Sequence, residues 1–320
     1  MEINRDIPVN KITPADPVIG TLVENRLLTD SSSPHFTRHW VVDLSGTELE
    51  GSIQSGQAFG VVPEWEHNID YNDTFIKSDD HKIRLYSNAS PSDGENGEGA
   101  LYSTTVKRVF DEHEEDGTTF LGADSNYMCD MDEGDEVKIT GPTGRHFLLP
   151  DENEVQDYNY VFLATGTGIA PFRGMTMELL DKGLDNPIHL ILGVPYNTDI
   201  LYEDWFRDVE EEYDNFNFYE AISRQQRTED GKKMYVQERI LSERDRLGPL
   251  LKDEQTLCYI CGLKGMETGI YRSFMAMDCD ELLASVPESL DGEDPDEISD
   301  RDERLTNIRP NKERVRVEVY

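Results

Sequence analysis

Ala164-Thr165-Gly166-Thr167-Gly168-Ile169-Ala170-Pro171-Phe172-Arg173 is the stretch that decides how this 320-residue chain is read. It follows directly on the apolar run Tyr160-Val161-Phe162-Leu163 and leads into a helical stretch at 172–182. A glycine-rich turn between strand and helix lets the backbone approach a pyrophosphate and sets that anion on a helix N-terminus. The spacing departs from G-x-G-x-x-G, so the glycines alone say little, and the continuation Ala170-Pro171-Phe172-Arg173 is what makes the segment distinctive. Downstream, apolar runs at 189–193, 216–221 and 256–261 alternate with helical stretches such as 198–214. That alternation predicts a parallel sheet with crossover helices, an α/β Rossmann-like domain.

Upstream the style is different. Short β-rich runs at 18–28, 37–44, 58–62, 82–86, 102–110 and 135–140 are separated by turns, without helical periodicity, which predicts an antiparallel β-barrel. The change falls in the acidic, turn-rich segment 150–157, and the domains are drawn as 1–153 and 154–320. Two polar segments, 91–99 and the strongly acidic 287–304, read as inserted, solvated loops.

The chain holds 66 Asp and Glu against 30 Lys and Arg, a formal net charge of -36. Hydrophobic residues at 37% and the recurring apolar runs point to a folded chain rather than a disordered one. In molar salt the Debye length falls to about 3 Å, so surface acids hardly repel one another, and a halophilic protein is expected. Nucleic acid is not expected as a partner, because a polyphosphate needs a basic face and no cluster of Lys and Arg large enough occurs in the sequence. Four cysteines, at 129, 258, 261 and 279, are too few for a disulfide-built fold and suggest a reducing compartment. The N-terminal residues lack a signal-peptide core and no run approaches the ~18 apolar residues of a membrane span, so a cytoplasmic location is expected.

Two more segments carry chemistry. Arg84-Leu85-Tyr86-Ser87 has strand composition, and a period of two sends Arg84 and Tyr86 to one side and Leu85 and Ser87 to the other. An isoalloxazine ring, apolar in the middle and polar at its edge, needs such an aromatic face together with hydroxyl and backbone groups. The chain ends Val317-Glu318-Val319-Tyr320, an aromatic placed at the terminus. Taken together, residues 84–90, 164–173 and 317–320 closely resemble the plant-type ferredoxin–NADP reductases, FAD-dependent enzymes whose chains end in a tyrosine against the flavin. The resemblance runs from about Pro17 to Tyr320.

For the flavin half the resemblance implies that Tyr86 stacks on the ring, Ser87 lies near N5 and Arg84 reaches the pyrophosphate. Lys107 in Val106-Lys107-Arg108 extends the match, and so do Ser125 and Asn126, in a turn and helix start whose amides would cradle the pyrophosphate. Asp124 stands where the family has a cysteine. As an anion it should not face phosphate, so its side chain is expected to point away or reach a cation. Phe110 is the candidate to cover the flavin adenine.

For the nicotinamide half the resemblance implies that Thr165, Gly166, Thr167, Gly168 and Pro171 hold the pyrophosphate, with Val194 and Pro195 lining the site. Ser223, Arg224 and Lys233 would hold a 2′-phosphate, Tyr235 would stack on adenine and Gln237 would support it, which selects NADP(H) over NAD(H). Cys258-x-x-Cys261 has the spacing of a zinc or dithiol motif, but there is no second cysteine pair and a strand turns the two cysteines apart, so no metal is expected. The resemblance instead makes Cys261, followed by Gly262 and Leu263, a positioner of the hydride path, with Glu318 as a proton relay and Tyr320 as the flavin's shield. Ser87, Cys261, Glu318 and Tyr320 are thus the expected catalytic group. The implied reaction is electron transfer between a one-electron carrier, ferredoxin or flavodoxin, and NADP(H). The alternatives are the reductase component of an oxygenase or epoxidase system, and a non-catalytic flavoprotein redox sensor.

Overall fold

Alternate residues of Val18–Leu27 are buried through Val18, Gly20 and Leu22, as a strand covered on one face requires. This strand, β1, opens the first of two units in a computed structural model that describes residues 7–63, 68–71, 74–77, 83–112, 117 and 119–320. The first unit contains the described chain up to Leu149 together with Arg173–Glu178, and the second contains the remainder from Pro150 to Tyr320.

In chain order the first unit holds β1, β2 (Thr37–Asp43), β3 (Ala58–Val62), β4 (Asn68–Tyr71), β5 (Thr74–Lys77), β6 (Arg84–Ser87), β7 (Leu101–Lys107), β8 (Phe110–Glu112), β9 (Thr119–Leu121), helix α1 (Ala123–Asp130) and β10 (Glu136–Thr143). Six strands form one antiparallel sheet in the order β6-β3-β10-β1-β2-β7. The sheet curls until its two edges meet: Ala89 N–H donates to the Ser103 carbonyl at 2.8 Å, and Thr104 Oγ1 donates to the Ser87 carbonyl at 2.8 Å. Trp40, Phe59, Tyr102, Leu22 and Ile139 fill the interior with no exposed surface, each contributing roughly 1.5–3 kcal/mol of burial. The run expected at 102–110 is broken in two, because Arg108 turns its guanidinium to Asn126 and Asp130 between β7 and β8. Of the run expected at 82–86, residue 82 lies outside the described residues. The 91–99 segment is more than a solvated loop: Glu95 pairs with Arg173 at 2.5 Å and accepts from Ser103.

The second unit holds β11 (Asn159–Thr165), α2 (Ala170–Asp181), β12 (Ile188–Val194), α3 (Glu203–Glu212), β13 (Phe216–Ile222), α4 (Val236–Ser242), α5 (Arg244–Lys252), β14 (Thr256–Gly262), α6 (Met266–Ala276), β15 (Leu283–Ser285), β16 (Arg309–Pro310) and β17 (Val315–Val319). Five strands are parallel in the order β13-β12-β11-β14-β17. Every residue of β12 and β14 is buried, as continuous apolar runs covered on both faces demand. Both Cys258 and Cys261 are therefore enclosed although they point to opposite faces. The helix expected over 198–214 is shorter, because Tyr202 takes a left-handed conformation (φ 58°) and α3 starts only after it. Nor is 287–304 wholly solvated: Leu290 and Ile298 are buried in the same core as Ile270 and Phe274.

The strand order reverses between β11 and β14, the point at which open parallel sheets bind ligands outside their carboxyl ends. There the backbones touch. A Cβ on Gly168 would stand 2.2 Å from the Cys261 carbonyl oxygen, and one on Gly262, at φ +144°, would stand 2.1 Å from Thr165 Oγ1. Among the described residues no helix is long and apolar enough to cross a membrane.

Candidate functional site

The carboxyl ends of the parallel strands gather most of the second unit's predicted residues. Thr165 closes β11, and its Oγ1 accepts from the Leu263 N–H at 2.9 Å and donates toward Met266 Sδ at 3.3 Å. Residues Gly166–Ile169 form a 3-10 turn before α2, with Pro171 in the first turn of that helix. Gly166 is at φ +52° with open space where a Cβ would be, so the backbone is accessible there.

Tyr320 is fixed at both main-chain groups. Its N–H donates to the Gly262 carbonyl and its own carbonyl accepts from Lys264 N–H, each at 3.0 Å. Its hydroxyl lies 2.5 Å from Thr167 Oγ1, yet the residue is 57% exposed. Tyr320 is therefore docked through its main chain and its hydroxyl while more than half of the residue stays exposed. One position earlier on the same strand pair, Cys261 lies opposite Glu318. Cys261 is fully buried, and burial together with the Glu318 charge pushes its thiol well above the ordinary range. Burial raises Glu318 to about 7, so this carboxyl can hold or release a proton near neutrality.

Beside this cluster, Ser223 N–H donates to Val194 O at 2.9 Å and Arg224 N–H to Pro195 O at 3.0 Å, which joins the two predicted pairs. Of the basic residues nearby, Arg227 donates to the Ser223 and Gln226 carbonyls and Lys232 pairs with Asp230 at 3.1 Å. Arg224 and Lys233 are exposed, and among the described residues neither has an acidic partner. Tyr235, 43% exposed, stands at the N-cap of α4. Two open cations and an open ring suit a phosphate attached to a flat heterocycle. Gln237 differs from them: it is buried and donates its amide to Asp300 at 2.8 Å.

In the first unit, β6 is an edge strand with Arg84 and Leu85 exposed and Tyr86 and Ser87 half-buried. Lys107 is exposed at the end of β7. Burial, and then the Asp124 charge, raises the Tyr86 phenol above its usual range. Ser125 Oγ accepts from Val109 N–H at 3.1 Å and donates to Gly122 O at 3.2 Å. Asn126 donates to the Val109 and Gly122 carbonyls and accepts from Arg108. These side chains are occupied in shaping the turn, so it is the first-turn amides of α1, left uncapped by Gly122, that have capacity for an anion. Asp124 is 2% exposed and neither carboxylate oxygen has a hydrogen bond of normal geometry. Burial pushes it up to about 7, opposed by the Arg84 amide and charge, so it is largely neutral below that pH.

Among the described residues the exposed large apolar side chains are Ile19, Val23 and Leu27 on β1 together with Leu85, Val109, Phe110, Tyr235, Leu263 and Tyr320. The last six lie in or beside segments expected to meet a flavin or a nicotinamide nucleotide, and open aromatic or aliphatic faces are what flat heterocycles require. The residues present fit both groups. Sequence reasoning missed the Thr167–Tyr320 bond and the Asp300–Gln237 bond; the glycines of 165–168 hinted at the first, and nothing in an acidic run distinguishes Asp300.

Comparison with known proteins gives a consistent result. A family model for the oxidoreductase NAD-binding domain matches residues 162–272. A ferredoxin–NADP reductase from Spirulina sp is 37% identical over 271 residues, covering 83% of this chain and 88% of that protein. The chloroplastic leaf isozyme 1 of ferredoxin–NADP reductase from Arabidopsis thaliana is 39% identical, covering 82% of this chain and 71% of its own. A solved structure of ferredoxin-NADP+ reductase from Plasmodium falciparum with 2′P-AMP superposes with a TM-score of 0.69 at 21% identity, covering 98% of this chain and 100% of that one, a likeness of fold.

The raised Glu318 makes a pH-dependent prediction. Its folded pKa lies above the ordinary 4.5, so between about 4.5 and 7 the folded state keeps a proton that the unfolded chain has lost. The stability this confers is full below 4.5 and is lost as pH rises through about 7. Relative to Glu318→Gln, the wild-type protein should lose stability from pH 5 to pH 8. Parallel urea-midpoint profiles for the two proteins would refute the placement.

Proposed function

Because this chain belongs to the ferredoxin–NADP reductase family, we propose that it is a FAD-dependent enzyme carrying electrons between a ferredoxin and NADP(H). The observation that carries the reading is Tyr320: an aromatic bonded through its hydroxyl to Thr167, clamped by Gly262 and Lys264, and more than half exposed. FAD, when bound, supplies the conversion between single electrons and a hydride. The chain's own residues bind, orient and handle the proton.

In the first unit, Tyr86 and Ser87 serve the flavin ring, Arg84 and Lys107 supply positive charge, and the amides around Ser125 and Asn126 take the pyrophosphate. Phe110 offers an exposed face to the flavin adenine. In the second unit, Thr165, Gly166, Thr167, Gly168 and Pro171 form the pyrophosphate turn, flanked by Val194, Pro195, Gly262 and Leu263. Arg224 and Lys233, with Ser223, take the 2′-phosphate, while Tyr235 covers the adenine and Gln237 supports it. Tyr320 holds the nicotinamide's place until the nucleotide displaces it. Cys261, enclosed and kept as a neutral thiol, shapes that place, and Glu318 holds or releases a proton beside it.

Ferredoxin or a flavodoxin-type carrier is the one-electron partner. The four cysteines are free and buried, which suits a reducing, cytoplasmic setting. The net charge of -36 suits molar salt, where repulsion within the chain and toward an acidic carrier is screened. Thermal midpoints should therefore climb with KCl up to molar concentration. A flat profile would remove the halophilic reading.

In molar KCl the FAD-loaded protein should oxidise NADPH with a far higher kcat/KM than NADH. Losing one charged phosphate contact costs about 1.5–3 kcal/mol, or roughly ten- to a hundredfold. Arg224→Ala and Lys233→Ala should each lower kcat/KM for NADPH by about that factor and leave NADH nearly unchanged. Equal use of the two nucleotides by the wild-type protein would overturn the specificity.

Tyr320→Ser should tighten nicotinamide binding, erode the NADPH preference and slow product release, since an aromatic stacking contact of about 0.5–1.5 kcal/mol is removed. Tyr320→Phe should keep most of the normal behaviour, losing only the Thr167 bond. Wild-type titrations and kinetics in the serine variant would take Tyr320 out of the mechanism.

A further inference from the structure

Asp300 lies in the acidic stretch 287–304, where composition alone suggests a solvated carboxylate. Instead it closes a ring of polar contacts under the start of α4. Its Oδ2 accepts from Gln237 Nε2 at 2.8 Å and its Oδ1 accepts from Arg272 Nε at 2.7 Å. Arg272 Nη2 in turn donates to Glu238 Oε1 at 2.8 Å. The Arg272 side chain is 3% exposed and that of Glu238 8%. Gly269 makes room for the ring, since a Cβ there would stand 2.8 Å from Gln237 Cδ.

The ring bears on α4 because that helix cannot orient itself. It has seven residues, and its N-cap, Tyr235, supplies no side-chain cap. A helix this short is marginal on its own and takes its direction from tertiary contacts. Gln237 and Glu238 occupy its first turn, immediately after Lys233 and Tyr235. Without Asp300, the Gln237 amide would be left buried without its acceptor and Arg272 would keep one carboxylate of two. Elsewhere in the acidic stretch, Asp302 and Glu293 are both paired to Arg304, while Asp296 reaches Arg244 and the Pro295 carbonyl accepts from Arg272.

We propose that Asp300 is a positioning residue for the 2′-phosphoadenosine end of NADP(H), acting through Gln237 and the first turn of α4. The inference rests on the nucleotide reading given above. It accounts for a carboxylate bonded to the helix that follows the proposed phosphate-binding segment: Asp300 is paired to Arg272, which it shares with Glu238, and what the nucleotide feels is the geometry of Lys233 and Tyr235.

The test is calorimetric titration of the full-length, FAD-loaded protein with 2′-phospho-AMP in molar KCl, together with NADPH kinetics. Asp300→Ala and Gln237→Ala should each weaken binding by about five- to twentyfold and raise the NADPH KM similarly, with kcat at saturation unchanged. The double variant should bind no more weakly than the weaker single one, because the two residues act as one unit. Asp302→Ala, which removes the same charge from the same stretch without touching α4, should leave binding as in the wild type. Should Asp300→Ala not fold, Asp300→Asn keeps the shape, but its single oxygen cannot serve both donors, and it should lose part of the affinity. Unchanged or tighter binding in the Asp300 variants, additive losses in the double variant, or an equal loss in Asp302→Ala would each overturn the proposal. If the wild-type protein fails to bind 2′-phospho-AMP, the nucleotide reading itself fails and takes this inference with it; wild-type binding with indifferent variants sinks the inference alone.

Discussion

Backbone meets backbone where β11 and β14 end, and the second unit is organised around that contact. Gly168 packs on the Cys261 carbonyl and Gly262 on Thr165, at distances that leave no room for a Cβ. The same contact brings the Thr165 hydroxyl within reach of the Leu263 amide and the Thr167 hydroxyl within reach of Tyr320. Side chains from three strands and one turn thereby converge at the point where the strand order reverses. A methyl group at either glycine would push them apart.

Charge is the second constraint, and it acts by selection. On this acidic surface some basic side chains pair with carboxylates, as Lys232 and Arg304 do, while others such as Lys264 and Lys312 are exposed with no acidic partner among the described residues. Arg224 and Lys233 are exposed in the same segment as an exposed Tyr235, and among the described residues neither is paired with an acid, an arrangement compatible with an anion. Two acids show the converse. Asp124, buried, and Glu318, half-buried, are each pushed to about 7 by desolvation, so both carry less charge near neutrality than an exposed carboxylate.

Much of the fold was legible in the chain. Strand-rich runs before residue 150 and alternating apolar and helical runs after it are local patterns, and burial on one face or on both is written into them. Errors arose where tertiary contacts override a local pattern. Arg108 breaks a run that reads as continuous, Tyr202 delays α3 by its left-handed backbone, and the apolar residues of 287–304 join the core beneath acids that suggest only solvent. Of the candidate site, Arg84–Ser87 was read as a strand and Thr165–Gly168 as a strand-to-helix turn from short contiguous motifs, and the structure places both so.

Residue order by itself determined the division into a strand-rich and an alternating half, the segments on which the candidate site is built and the acidic composition. Only the tertiary structure decided what each polar group is bonded to. Ser125 and Asn126 shape a turn with their side chains, Gln237 is held by Asp300, and the terminal tyrosine is docked on Thr167 across 153 residues of chain. The physical reason is range: periodicity and turn chemistry act over a few residues, whereas a hydrogen bond between distant segments exists only after the sheet has brought their strand ends together.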